Sequence, residues 1–71
     1  MLINDLGQAI KSRRNELGIT QVHLAELAGV SPNTLYKLER GQINPSLDIL
    51  NKILDVLGME LKLEIKQKAG K

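Results

Sequence analysis

Apolar residues along this chain fall into two rhythms. From residue 5 to residue 57 they recur every three or four positions, the spacing of one helix face; from 59 to 66 they alternate strictly with charged residues, the spacing of a half-buried strand. Leu6, Ile10 and Leu17 mark a first helix over Asp5 to Leu17, with Asp5 expected as its N-cap and Gln8 three residues on. Leu24, Leu27 and Ala28 mark a second, Gln21 to Ala28, capped by Thr20. Ser31 caps a third, with Pro32 at the first helical position, where the missing N–H costs nothing; Leu35 and Leu38 carry it to Arg40. The loop Gln42-Ile43-Asn44-Pro45 then leads to Ser46, the cap of a fourth helix ending near Leu57. Gly18, Gly29, Gly41 and Gly58 stand where the four helices are expected to stop.

The fourth helix is apolar over more of its circumference than one contact requires. Asp48, Asn51, Lys52 and Asp55 fall in one arc of about 100°. Leu47, Ile49, Leu50, Ile53, Leu54, Val56 and Leu57 cover the opposite half-turn. That width predicts two contacts, one with the chain's own core and one, through Ile49, Ile53 and Val56, with a second molecule.

The alternating segment points the same way. Met59, Leu61, Leu63 and Ile65 share one face and Glu60, Lys62, Glu64 and Lys66 the other. Helix is the competing reading, because Leu, Glu and Lys favour it, but a helix would scatter these apolar side chains around its circumference. A lone strand leaves its backbone donors and acceptors unpaired, and no other segment of the chain reads as extended, so its expected partner is the same strand of a second copy. The charges select a register. In an antiparallel pair centred on Leu63, Glu60 meets Lys66 and Lys62 meets Glu64, so opposed residues have numbers summing to 126 and every charged pair attracts. Centring on Lys62 or Glu64 opposes like charges, as does a parallel in-register pair. The expected organisation is a helical domain over 1–58, a dimerisation strand over 59–66 and a polar tail over 67–71.

Composition removes alternatives. A chain of 71 residues obtains only ~3–5 kcal/mol from its own core, and with no cysteine it has neither disulfides nor a thiolate metal site to add to it. The single His23 builds no metal cage and, with no thiol and no phosphate-cradling glycine loop, no catalytic group, so no metal, cofactor or enzymatic activity is expected. Apolar residues at 42% and charged residues at 25% describe a globular chain, with no apolar run near the ~20 residues a bilayer requires. The opening MLINDLGQ lacks the basic-then-apolar pattern of a secretory signal, so a cytoplasmic location without membrane contact is expected. The net charge of +2 is too small an excess to argue for nucleic acid by itself.

Residues 20–41, TQVHLAELAGVSPNTLYKLERG, carry the specific signal. Two short helices meet at Gly29, Ala25 is small enough for close approach, and Leu24, Ala28, Val30, Leu35 and Leu38 are placed to point inward. With the flanking helices, over residues 5–57, this pattern resembles the phage-repressor (Xre-type) helix-turn-helix family. The resemblance implies a four-helix, all-α repressor-like domain binding double-stranded DNA, its third helix entering the major groove. By position, Pro32, Asn33, Thr34 and Lys37 are then the base-reading candidates: Asn33 suits adenine, Lys37 suits guanine and the Thr34 methyl suits thymine. Pro32 stands where relatives often have a polar reader. Phosphate contacts are expected from Gln21 above all, then Ser31, Arg40, Gln42 and Asn44. Tyr36 is either an amphipathic surface residue or a sugar-phosphate contact; His23, Lys11 and Arg13 read as solvated. Arg14 and Glu39 each follow an apolar stripe residue by four positions, and similar repressors hold an Arg–Glu ion pair there, so the two are expected as a structural pair.

The added C-terminal strand makes the chain look like the HipB-type antitoxins. That resemblance implies a homodimeric repressor binding a palindromic operator, with Met59, Leu61, Leu63 and Ile65 joining Ile49, Ile53 and Val56 at the dimer interface, and a kinase-like toxin as partner. A stand-alone or phage-type regulator, and an interaction module that has lost DNA binding, are the alternatives.

Overall fold

Helices form where the 3.6-residue rhythm and the caps agree. The computed structural model describes residues 3–62 and 65, with α1 over Ile3–Glu16, α2 over Gln21–Ala28, α3 over Pro32–Glu39 and α4 over Leu47–Leu57. Three starts are capped by the expected hydroxyls. Thr20 Oγ1 accepts from the His23 amide at 3.0 Å, Ser31 Oγ from the Asn33 amide at 3.1 Å, and Ser46 Oγ from the Ile49 amide at 3.1 Å. Asp5 is not a cap: α1 begins two residues earlier, which puts Asp5 inside the first turn, where its charge meets the positive end of the helix dipole.

All four helices end in the same way. The amides of Ile19, Val30, Gln42 and Met59 donate to carbonyls five residues back, on Arg14, Ala25, Lys37 and Leu54, with the preceding glycine amide donating three residues back inside that loop. Gly29 shows the backbone requirement at φ 71°, a left-handed conformation. A Cβ added there has nothing within 4 Å, so Gly29→Ala measures the backbone term alone. It is expected to cost about 1 kcal/mol, read as a lower melting temperature. The turn also re-aims the chain: Ile19, Val30 and Met59, just past their glycines, pack against the core.

Ile10, Leu24, Ala25, Ala28, Leu35, Leu38, Leu50, Ile53, Leu54 and Leu57 form that core. α1 packs on α3 and α4, and α2 packs on α3 and α4, so the α2–α3 pair sits on a base made by the other two helices. Arg13, expected to be solvated, instead donates from Nε to the Leu57 carbonyl at 2.9 Å, tying α1 to the last turn of α4.

Two expectations about a second subunit change. Ile53 is fully buried in the chain's own core, so it has no surface to offer another molecule; the apolar half of α4 wraps more of its own core than the wheel implied. Met59 is half-buried, and its amide closes the end of α4, so the domain's own packing claims part of a side chain expected at the interface. Glu60, Leu61, Lys62 and Ile65 lie in neither helix nor strand within the single chain; the expected strand's Leu63, Glu64 and Lys66 lie outside the described residues.

Candidate nucleic-acid interface

The outward face of α3 is polar and uncommitted. Leu35, Leu38 and Glu39 turn inward, which leaves Asn33, Tyr36, Lys37 and Arg40 exposed within an arc of about 100°. Pro32 is exposed at the helix start, and Thr34 is half-buried at the edge of the same face. The start of α3 has no amide to spare for an anion. Pro32 has no N–H, the Asn33 and Thr34 amides point to Ser31 Oγ at 3.1 and 3.4 Å, and the Leu35 amide donates to the Ser31 carbonyl. Ser31 still has its own hydroxyl proton to donate, so cap and phosphate contact are compatible. Gln42 and Asn44 are exposed on the loop that follows.

A buried polar cluster holds this face in place. Glu39 is 4% exposed. Its carboxylate accepts from Arg14 Nε at 2.8 Å and from Nη2 on the same guanidinium edge at 3.1 Å, a bidentate pair. The remaining Arg14 nitrogen, Nη1, donates to the Ile19 carbonyl at 3.0 Å. Gln21 Nε2 donates to Glu39 Oε1 at 2.9 Å. One carboxylate thus joins α1, the start of α2 and the end of α3. No buried side-chain polar atom among the described residues is left without a partner. Hydrogen bonding to the Glu39 carboxylate raises the Arg14 guanidinium above its ordinary range, against the opposite pull of burial. A cation whose folded-state pKa is raised contributes stability that is present below its unfolded value and is lost only as pH rises through the folded one, as long as the Glu39 carboxylate stays ionised.

The Gln21 bond gives that residue a structural role beside the phosphate contact expected of it. A carboxylate accepts only, so the amide nitrogen must face Glu39, leaving Gln21 Oε1 and the second N–H for other partners. Gln21 also lines an open cleft with Arg14, Asn15, Thr20 and Val22, where the first amides of α2 lack intrahelical acceptors. His23 is exposed at the first turn of α2.

Residues 10–63 match the family described as Helix-turn-helix. The chain belongs to the helix-turn-helix family. This helix-turn-helix chain is 45% identical over 51 residues to an uncharacterized HTH-type transcriptional regulator of Methanothermobacter thermautotrophicus, covering 72% of this chain and 74% of that protein. It is 43% identical over 56 residues to the immunity repressor protein of Bacillus phage phi105, covering 79% of this chain but only 39% of the repressor. Its fold matches the crystal structure of the clp gene regulator ClgR from Corynebacterium glutamicum at a TM-score of 0.79 and 38% identity, over 86% of this chain and 78% of that one.

Proposed function

We propose that this chain is a sequence-specific DNA-binding transcriptional repressor that acts as a homodimer on a palindromic operator. The observation that carries the reading is the outward face of α3, where the Asn33, Lys37 and Arg40 side chains project with no hydrogen bond or ion pair among the described residues while Glu39, one residue before Arg40, is spent on holding the helix. The regulators and the immunity repressor it resembles support the same reading. Asn33 and Lys37, with Thr34 and Pro32 at the margins, read base edges; Gln21, Ser31, Arg40, Gln42 and Asn44 set register on phosphates. Half-sites then lie one helical turn apart, ~34 Å centre to centre.

Two substitutions separate the two roles. Asn33→Ala is expected to relax preference at one base pair, about 1–3 kcal/mol of discrimination, whereas Gln21→Ala weakens all sequences alike. Footprinting upstream of the chain's own gene supplies the operator, and titration of the variants against it and its point mutants reads both effects. Equal losses from both on every sequence would overturn the division.

Exposed apolar side chains support the second copy. Leu47 is 65% exposed, Leu61 is 42% and Ile65 is 94%, while Ile49 and Val56 are half-buried on α4. An antiparallel ribbon about Leu63 places Leu61 of one copy against Ile65 of the other, the numbers summing to 126. Because the chain has no cysteine, introduced thiols report this register directly. Leu63→Cys is expected to cross-link to itself under mild oxidation and Lys62→Cys to do so poorly; the reverse order would refute the register. A kinase-like toxin as partner finds no support in the relatives named above, and the reading stops at the regulator.

A further inference from the structure

Tyr36 and Arg40 are not independent on the face of α3. The Arg40 guanidinium carbon lies 5.3 Å from the centre of the Tyr36 ring, and the Arg40 amide donates to the Tyr36 carbonyl at 3.3 Å. Among the described residues Arg40 joins no ion pair, and its neighbour Glu39 is committed to Arg14 and Gln21. The ring's negative face attracts the cation as a whole, and no side-chain hydrogen bond among the described residues uses an Arg40 N–H. The five N–H donors lie in the plane of the group and stay free at its edge. An arginine held in this way is ordered before its ligand arrives, which removes part of the cost of fixing it on contact. The ring itself is 45% exposed, so it is not held there by the core.

We propose that Tyr36 is a positioning residue: its ring holds the Arg40 guanidinium beside the base-reading face of α3 with its donor edge free for a DNA phosphate. Tyr36 contributes to binding through Arg40 and not through its own hydroxyl. This rests on the DNA-binding reading above and goes beyond it, since the two residues form one phosphate clamp and not two separate contacts.

Phosphate contacts do not depend on sequence, so a duplex of arbitrary sequence about two helical turns long, at about 50 mM salt, serves as the probe. Affinity is measured for wild type, Tyr36→Phe, Tyr36→Leu, Arg40→Ala and both Tyr36 variants combined with Arg40→Ala, with melting temperatures confirming that each is folded. Tyr36→Leu is expected to bind about two- to fivefold more weakly than wild type, and Tyr36→Phe, which keeps the ring, to recover most of that factor. In the Arg40→Ala background the Phe and Leu variants should bind equally. Arg40→Ala should also lower the salt slope by about one. Equal weakening by Phe and Leu would assign the effect to the hydroxyl and overturn the proposal. A Leu penalty that persists without Arg40, or an Arg40→Ala chain that binds like wild type, would overturn it as well. A wild-type chain whose affinity does not fall with salt overturns the DNA-binding reading itself, a different result from any of these.

Discussion

Glu39→Ala abolishes cooperative folding or lowers the melting temperature by more than about 10 °C. The side chain is almost wholly buried, and its carboxylate serves three groups: two nitrogens of Arg14 and the amide of Gln21. Removing it strands the Arg14 guanidinium, whose side chain is itself only 11% exposed. Breaking a buried pair from one side costs about 3–5 kcal/mol, the same size as the whole stability available to a chain of this length. Even the lower end of that range displaces the melting temperature by more than 10 °C in a small domain, at about 4–8 °C per kcal/mol. Thermal denaturation followed by circular dichroism reads the effect; chain concentration is held fixed because any association of the folded chain raises its melting temperature. Removing both partners, as Arg14→Leu with Glu39→Met, should recover part of the loss, because the cost lies in the unpaired charge. A Glu39→Ala chain that melts like wild type would show that the cluster carries no stability.

Gly7→Ala is the second large effect, and its sign runs against helix propensity. Within a helix, alanine is favoured over glycine by about 1 kcal/mol, so propensity alone predicts a more stable α1. The structure reverses this. A Cβ at Gly7 would collide with the Leu38 carbonyl oxygen and lie 2.8 Å from that of Glu39. Both are backbone atoms and cannot swing aside, so α1 must move off α3. Overpacking of this kind costs about 1–3 kcal/mol, and here it also moves Arg14, two turns along the same face of α1, away from Glu39. The expected result is a melting temperature at least about 4 °C lower. Gln8→Ala, at the exposed neighbouring position, should melt no lower than wild type. If Gly7→Ala raised the melting temperature, the close approach of α1 to α3 would be refuted.

Much of this was legible because it is local. Thr20, Ser31 and Ser46 are caps by residue type and position, and the glycine after each helix meets the same backbone demand each time, so three helix starts and four ends followed from sequence. Sequence is uninformative where two distant segments meet. Asp5 looked like a cap, and Arg13 looked solvated although it reaches the Leu57 carbonyl, 44 residues away. Ile53 looked available to a partner because a helical wheel shows which side chains are apolar but not how far the rest of the chain wraps around them. The Tyr36–Arg40 stack had a signal, the i,i+4 spacing of an aromatic and a cation on one helix, but spacing alone does not establish contact.

By itself, the sequence determined four helices, their stops, the polar face of α3 and the helix-turn-helix pattern at 20–41, since each depends on backbone preferences and periodicity within one segment. Only the tertiary structure decided that Gln21 joins the expected Arg14–Glu39 pair, that α1 approaches the backbone of α3 closely at Gly7, and that Ile53 belongs to the core. Burial and close contact are properties of two segments brought together in space. No periodicity read along one of them specifies what the other will cover.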